Sequence, residues 1–205
     1  INTIDKNTDK YFNSLILVNN ELEILYQYNK KKLVPFGEHL PFKILLESIG
    51  FKKITEGHGT FLKGDKQKNI SFDKINILPL ICYEIIFPEL TQSSSKKTNL
   101  IINISEDGWF GQSIGPKQHF VHSIFRAIEN GKYIVRSSNN GLAGIINPLG
   151  KVEQIVKFGH SGFVDLKVNK TLQSTLFSKY GNKIFLILIL LYIFLIFSFN
   201  RIKNE

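Results

Sequence analysis

Cys82 is the residue of this chain best suited to nucleophilic chemistry. It is the only cysteine among the 205 residues, and it follows an apolar run at 75–81 and precedes Tyr83 and Glu84. An apolar run of strand length that ends in cysteine is typical of a buried strand that delivers a thiol to a sheet edge. The alternative is an inert core thiol, the commoner state of a lone cysteine in an apolar stretch. These residues alone leave both interpretations open.

The composition is that of a globular segment with an excess of positive charge. Hydrophobic residues make up 43% of the chain and charged residues 21%, which suits one folded core. The net charge of +9 comes from 23 lysines and only 3 arginines. No basic stripe is interleaved with aromatic residues, so the charge does not predict a nucleic-acid partner. It is compatible with a basic surface beside anionic lipid.

The start of the chain predicts that it belongs to a longer protein. It contains no methionine and begins INTIDKNTDKYFN, without the features of a signal peptide. One cysteine cannot form an internal disulfide, so the cysteine count does not indicate the redox compartment.

The C-terminal end predicts a membrane helix. Residues 184–199 read IFLILILLYIFLIFSF without a charge, and lysine or arginine lies on both sides. At about 1.5 Å per residue the run reaches roughly 24 Å, against a hydrocarbon core of ~30 Å, and snorkelling lysines would make up the difference. We therefore predict a transmembrane helix at 183–200 and a short tail at 201–205. The alternative is a buried core element, which a run without a polar face disfavours.

The remaining pattern alternates between strands and helices. Asn19 and Asn20 join two strand-like runs at 12–18 and 22–28, which predicts a hairpin. Further strands are predicted at 75–81, 100–105, 133–137, 142–146, 152–156 and 163–168, with a short helix at 40–48 and a second one beginning within 85–90. This alternation predicts a layered α/β core. The polar stretch at 57–73 is interpreted as a loop that could act as a flap.

One longer helix is predicted at 117–130. Its apolar residues at helical spacing are Phe120, Ile124, Phe125 and Ile128. We expect this face to pack on a sheet.

Five strings, in this order, carry a family resemblance. They are YNKKKLVPFGEHLPF, ICYEIIFPEL, SEDGWFGQSIGPKQHF, RAIENGKYIVRSSNNG and INPLGKV. Together they resemble the carbon-nitrogen hydrolase (nitrilase) domain of the bacterial apolipoprotein N-acyltransferases, from about residue 11 to the apolar segment. The resemblance implies a four-layer αββα sandwich over residues 1–175 that lacks its N-terminal part. It also implies a Glu, Lys and Cys catalytic set without a metal or other cofactor.

The resemblance assigns roles to two residues of that set. Cys82 would be the nucleophile that carries the acyl group as a thioester. Lys30, eight residues before Glu38, would stabilise the oxyanion. Without the resemblance, a lysine in the KKK run at 30–32 is better explained as a solvated charge. The family's catalytic glutamate lies upstream of the lysine, and we expect it to lie outside this chain.

Further residues receive supporting roles from the same resemblance. Glu38 would hydrogen-bond the lysine, although a carboxylate favoured at a helix start explains it equally well. Tyr83 and Glu84 follow the nucleophile and would support the site. Trp109 and Phe110 would line the substrate loop, where their rings could meet acyl chains, although a core role would also suit Trp109.

Four other polar residues are expected to act structurally. His119 would fix a loop by hydrogen bonds rather than serve as a base, because the family's base is a carboxylate. Arg126, Glu129 and Arg136 are expected to form internal ion pairs. Glu106 stands where the family often has asparagine, a departure that concerns the loop and not the reaction type.

The resemblance implies a membrane-anchored acyltransferase. It would move a fatty acyl chain from a phospholipid to Cys82 and then to the amino group of diacylglyceryl-cysteine in an apolipoprotein. Family precedent places such a domain on the periplasmic side of the bacterial inner membrane. The alternatives are a nitrilase-type amidase that hydrolyses a small amide, and an inactive split fragment.

Overall fold

The computed structural model describes residues 1–50, 61–65, 69–72, 74–92, 98–167 and 170–203, and at 43 and 200–203 it describes the backbone alone. Residues 57–60, 66–68 and 73 of the predicted flap at 57–73 and the last two residues of the predicted tail lie outside this part. The described elements form two sheets with helices, which confirms an α/β fold.

The first sheet has three antiparallel strands in the order β1-β2-β3. They are β1 (Asn2–Asp5), β2 (Lys10–Val18) and β3 (Ile24–Asn29). The side chain of Asn19 accepts hydrogen bonds from the backbone N–H groups of Glu21 and Glu23, which closes the turn between β2 and β3. The predicted hairpin is therefore confirmed, whereas β1 was not predicted.

The second sheet has six strands in the order β4-β5-β6-β7-β8-β9. They are β4 (Ile70–Phe72), β5 (Ile75–Ile81), β6 (Leu100–Glu106), β7 (Tyr133–Asn139), β8 (Ala143–Ile146) and β9 (Val152–Val156). Strands β5, β6 and β7 are parallel, and Ile81 pairs with Ile104 at the carboxyl end of β5. Residues that follow these strands therefore meet at one edge of the sheet, the usual place for a site in such folds.

Five helices and two 3₁₀ turns complete the described part of the chain. They are α1 (Lys43–Ser48), α2 (Glu89–Gln92), α3 (Gly115–Asn130), α4 (Leu176–Tyr180) and α5 (Lys183–Lys203), with turns at Cys82–Ile86 and Gly108–Phe110. The predicted helix within 85–90 is thus divided, because a 3₁₀ turn begins at Cys82 and α2 starts only at Glu89. In the described residues, no helix combines the length and the apolar character that crossing a bilayer requires.

Helix α3 is confirmed, but half of its predicted packing face is wrong. Phe120 and Ile124 pack on the core formed by β5, β6 and β7, whereas Phe125 and Ile128 are 50% and 46% exposed. The buried face instead includes His119 and other polar residues of the helix, namely Ser123, Arg126 and Asn130. Apolar periodicity could not predict this face, because several of these buried polar side chains are hydrogen-bonded inside the fold.

The predicted strand at 163–168 is wrong for the residues that are described there. In place of a backbone ladder, one side chain of β9 holds this segment. Gln154 Nε2 donates to the carbonyl of Asp165 at 2.7 Å, and the Asp165 N–H donates to Gln154 Oε1 at 2.9 Å. An amide side chain supplies both a donor and an acceptor. The Gln154 amide therefore takes the place of the backbone hydrogen bonds that a further strand would make beside β9.

Candidate active site

A cavity of about 830 Å³ lies at the carboxyl end of β5 and β6. It brings together most of the residues that the sequence singled out. Its walls include Lys30, Glu38, Cys82, Tyr83, Glu106, Trp109, Phe110 and His119. Glu84 is fully buried behind it.

Cys82 stands at a strained position where β5 ends and the 3₁₀ turn begins. Its backbone has a φ of +50°, a left-handed conformation that costs a non-glycine residue roughly 1–2 kcal/mol. The side chain is partly exposed to the cavity, and Sγ lies 3.9 Å from the carbonyl oxygen of Glu106. The sharp turn presents the thiol to the cavity, so Cys82 is not a core side chain.

Lys30 is buried at the opposite wall and forms an ion pair with Glu38. It is 1% exposed, and its Nζ lies 2.8 Å from Glu38 Oε1. The same carboxylate accepts hydrogen bonds of 2.8 Å from Asn13 Nδ2 and from the Val34 N–H. The predicted contact between Glu38 and Lys30 is therefore observed, and the solvated alternative for Lys30 is wrong. Lys32, by contrast, is partly exposed and pairs with Glu89.

Glu84 connects the lysine segment to the nucleophile turn. Its Oε1 accepts hydrogen bonds from the hydroxyl of Tyr28 at 2.8 Å and from the N–H groups of Lys31 and Lys32 at 2.7 and 3.1 Å. Its Oε2 accepts one from the N–H of Ile81 at 2.8 Å. One buried carboxylate thus fixes the end of β5 against the segment that carries Lys30. Burial raises the pKa of Glu84, and the four hydrogen bonds oppose that rise.

We expect Glu84→Gln to weaken both the fold and the site. The amide would keep one acceptor oxygen but would place an NH₂ group against backbone N–H donors, which costs about 2–3 kcal/mol when a charged acceptor is lost. The free energy of unfolding should fall by this amount, and Cys82 should lose its alignment with Lys30. Thermal unfolding and turnover of the same preparation measure the two effects. An unchanged melting temperature would contradict this role.

A buried polar network lies directly beneath Cys82. The sequence predicted hydrogen bonds for His119 and an internal ion pair for Arg136, but it assigned no role to Asp107, which both residues contact. Arg136 Nη2 donates to both oxygens of Asp107 at 3.0 and 2.8 Å, and Ser105 Oγ donates to Oδ1 at 2.7 Å. His119 Nδ1 lies 2.9 Å from the same Oδ1. Arg136 also donates to Asn103 Oδ1. Asp107 and Arg136 are fully buried, so each charge depends on the other.

The electrostatics of this network keep Asp107 ionised. Burial by itself would raise the pKa of Asp107, but the hydrogen bond with His119 and the charge of Arg136 bring that pKa well below its usual range. Of the predicted internal ion pairs, Arg126 does pair with Glu129, at 2.9 Å. Arg136 also forms an internal ion pair as predicted, with Asp107 at 2.8 Å.

The loop after β6 forms the cavity mouth. Trp109 is 69% exposed and Phe110 40%, so a core role for Trp109 is excluded. The carboxylate of Glu106 accepts hydrogen bonds from the Gly108 N–H at 2.7 Å and from Asn139 Nδ2 at 2.5 Å, which fix this loop. Among the described residues, no group of three or more His, Cys, Asp or Glu side chains could hold a metal ion.

Residues 1–179 match the carbon-nitrogen hydrolase family. The chain belongs to this family. Two bacterial relatives named apolipoprotein N-acyltransferase support the assignment. The one from Rickettsia bellii is 44% identical over 88% of this chain and 35% of its own length, and the one from Rhodopseudomonas palustris is 37% identical over 83% and 32%. This carbon-nitrogen hydrolase therefore spans about a third of the length of the relatives it matches.

Solved structures show the same fold for this carbon-nitrogen hydrolase. A nitrilase-superfamily protein of Saccharomyces cerevisiae matches with a TM-score of 0.60 and 23% identity, over 78% of this chain and 55% of its own. An amidase of Nesterenkonia sp. matches with a TM-score of 0.51 and 16% identity, over 73% and 52%. The α/β fold is thus nitrilase-like.

Proposed function

We propose that this protein transfers a fatty acyl chain from a phospholipid, through a thioester at Cys82, to the amino group of diacylglyceryl-cysteine in an apolipoprotein. The observation that carries this proposal is one cavity that presents a strained cysteine and a buried lysine paired with a glutamate. The names of the bacterial relatives support the substrate class. Structures of a mutant of the Nesterenkonia amidase, in turn, show covalent addition at its active-site cysteine.

In the first step, the thiolate of Cys82 attacks the carbonyl carbon of the phospholipid ester. A carbon-sulfur bond forms and the carbonyl becomes an oxyanion, which the ammonium group of Lys30 would stabilise. The carbon-oxygen bond then breaks, and the lysophospholipid leaves after taking up a proton. The acyl group remains on Cys82 as a thioester.

In the second step, the amino group of the lipoprotein attacks the thioester carbonyl. A carbon-nitrogen bond forms, the carbon-sulfur bond breaks, and Cys82 leaves as a thiolate. A base must remove the proton first from the thiol and later from the amine. Among the described residues, the carboxylates of the cavity wall are Glu38 and Glu106, and both are already hydrogen-bonded. We therefore assign the base to the further glutamate that the family resemblance implies.

The cavity wall suits an acyl chain better than a small amide. Around the polar groups it is formed by apolar side chains, including Val34, Ile86, Ile104, Trp109 and Phe110. The exposed rings at its mouth would contact the acyl chain of an incoming lipid. This arrangement supports the acyltransferase over the amidase.

Helix α5 would keep this site at the membrane. Its apolar side chains are exposed all round, from Phe185 to Phe199, and such a helix has no face suited to water. The described part of α5 falls short of a full span, and we propose that snorkelling lysines at its ends make up the difference. The helix would then lie in lipid, as a transmembrane helix at 183–200 of the bacterial inner membrane with the site on the periplasmic side. Release of the protein from membranes by an alkaline wash would contradict this arrangement.

The function is tested with the full-length protein in phospholipid vesicles. A phospholipid with a deuterated acyl chain and a synthetic diacylglyceryl-cysteine peptide serve as substrates. We expect mass spectrometry to find the labelled chain first on Cys82 and then on the peptide's amino group. Hydrolysis of small amides without transfer to the peptide would favour the amidase, and no adduct on Cys82 would overturn the mechanism.

A further inference from the structure

Two buried side chains hold the carbonyl oxygen of Cys82. His119 Nε2 lies 3.3 Å and Asn103 Nδ2 3.5 Å from this oxygen. A carbonyl oxygen only accepts hydrogen bonds, so Nε2 must be the donor in its contact. The contact matters because Cys82 has the left-handed backbone of the turn, and the direction of its carbonyl is part of that conformation.

The buried network of Asp107 and Arg136 fixes the orientation of the His119 ring. Nδ1 lies 2.9 Å from Asp107 Oδ1 and 3.1 Å from Arg136 Nη2, and this nitrogen of Arg136 also donates to both oxygens of the carboxylate. The imidazole is 5% exposed, on the buried face of α3. A line of contacts therefore runs from Arg136 through Asp107 and His119 to the backbone of the nucleophile.

We propose that His119, aimed by Asp107 and Arg136, is a positioning residue for Cys82. Its Nε2 fixes the left-handed backbone of the nucleophile and thereby the direction of the thiol in the cavity. It acts through the Cys82 carbonyl and does not take the thiol proton. The proposal rests on the proposed function for the reaction that it assists, while the geometry of the thiol can be measured separately.

The step that depends on this geometry is the attack of the thiolate. Without the hydrogen bond, Cys82 can relieve its strain by turning to an ordinary backbone conformation. The thiol would then move away from the substrate carbonyl, and a misplacement of about 1 Å costs about a hundredfold in rate. Substrate binding in the cavity would change far less.

Substitution of His119 by glutamine or by asparagine tests the contacts of its two ring nitrogens separately. The amide nitrogen of His119→Gln can take the place of Nε2 and donate to the Cys82 carbonyl. The shorter amide of His119→Asn can replace only Nδ1 and contact Asp107. Ser123→Ala is a matched control on the buried face of α3, because Ser123 Oγ has no hydrogen-bond partner among the described residues.

We expect His119→Asn to lower kcat about a hundredfold with little change in KM. His119→Gln should regain at least about tenfold of that loss, and Ser123→Ala should match the wild type. Equal kcat values for the wild type and His119→Asn would overturn the proposal. So would equal losses in the two amide variants, because a merely structural role does not distinguish the two ring nitrogens.

Alkylation of Cys82 by iodoacetamide tests the positioning without acyl transfer. Peptide mass analysis after alkylation measures the reaction at this residue. We expect slower alkylation in His119→Asn than in His119→Gln or Ser123→Ala, and equal rates in all three would contradict the proposal. If the wild type alkylates normally but transfers no acyl chain, the proposed function fails while the comparison of alkylation rates still decides the role of His119.

Discussion

Replacement of Cys82 by alanine is expected to abolish acyl transfer while the fold remains. Without the thiol no thioester can form, and loss of a nucleophile lowers turnover by at least about a thousandfold. The side chain is partly exposed to the cavity, and its Sγ lies at a long 3.9 Å from the Glu106 carbonyl oxygen. Truncation therefore removes little packing. Labelled acyl transfer and thermal unfolding on the same preparation measure the two quantities.

Cys82→Gly is the matched variant for this experiment. It should be as inactive as Cys82→Ala but more stable than it by about 1 kcal/mol, because glycine adopts a φ of +50° without strain. Such a difference would show that the turn sacrifices stability to present the thiol. A glycine variant that is less stable than the alanine variant would contradict the strain, and acyl transfer by either variant would contradict the nucleophile.

The sequence predicted the elements with a strong local pattern and missed those that depend on side-chain hydrogen bonds. The strand at 75–81 matches β5 residue for residue, because a continuous apolar run next to a turn favours a buried strand. The strand at 163–168 was wrong because its alternating apolar residues fit a strand, whereas the side chain of Gln154 supplies its pairing. Local periodicity carries no information about such a partner.

The candidate site likewise combines residues that the sequence predicted with residues that only the fold reveals. Cys82, Lys30 and Glu38 belong to recognisable motifs, and the cavity brings all three together. Asp107 and Arg136 lie far apart in sequence and meet only because β6 and β7 are parallel neighbours, with Asn103 paired to Arg136. As a lone charge within a predicted strand, Arg136 did indicate a buried ion-pair partner, since an unpaired charge is costly there. The identity of that partner could be found only from the register between β6 and β7.

Replacement of Arg136 by methionine is expected to have the largest effect on stability. It would leave the carboxylate of Asp107 fully buried, with His119 and Ser105 as its remaining side-chain partners among the described residues. Breaking a buried pair on one side costs about 3–5 kcal/mol, or roughly 10 °C in melting temperature for a chain of this size. The double variant with Asp107→Asn should recover part of this loss, because it removes the unpaired charge. Thermal unfolding of both variants at pH 7 measures the difference, and an equally unstable double variant would contradict the explanation.

The pH dependence of unfolding gives an independent measure of the same pair. The pKa of Asp107 is lower in the folded protein than the value of about 3.9 expected in the unfolded chain. The folded state therefore binds fewer protons, and the stabilisation from this carboxylate is present above about pH 4 and lost as the pH falls below it. Asp107→Asn has no such group to titrate, so its stability should fall less steeply than that of the wild type between about pH 4 and 2. Parallel curves for the two proteins would mean that the buried pair does not contribute to the acid sensitivity of the fold.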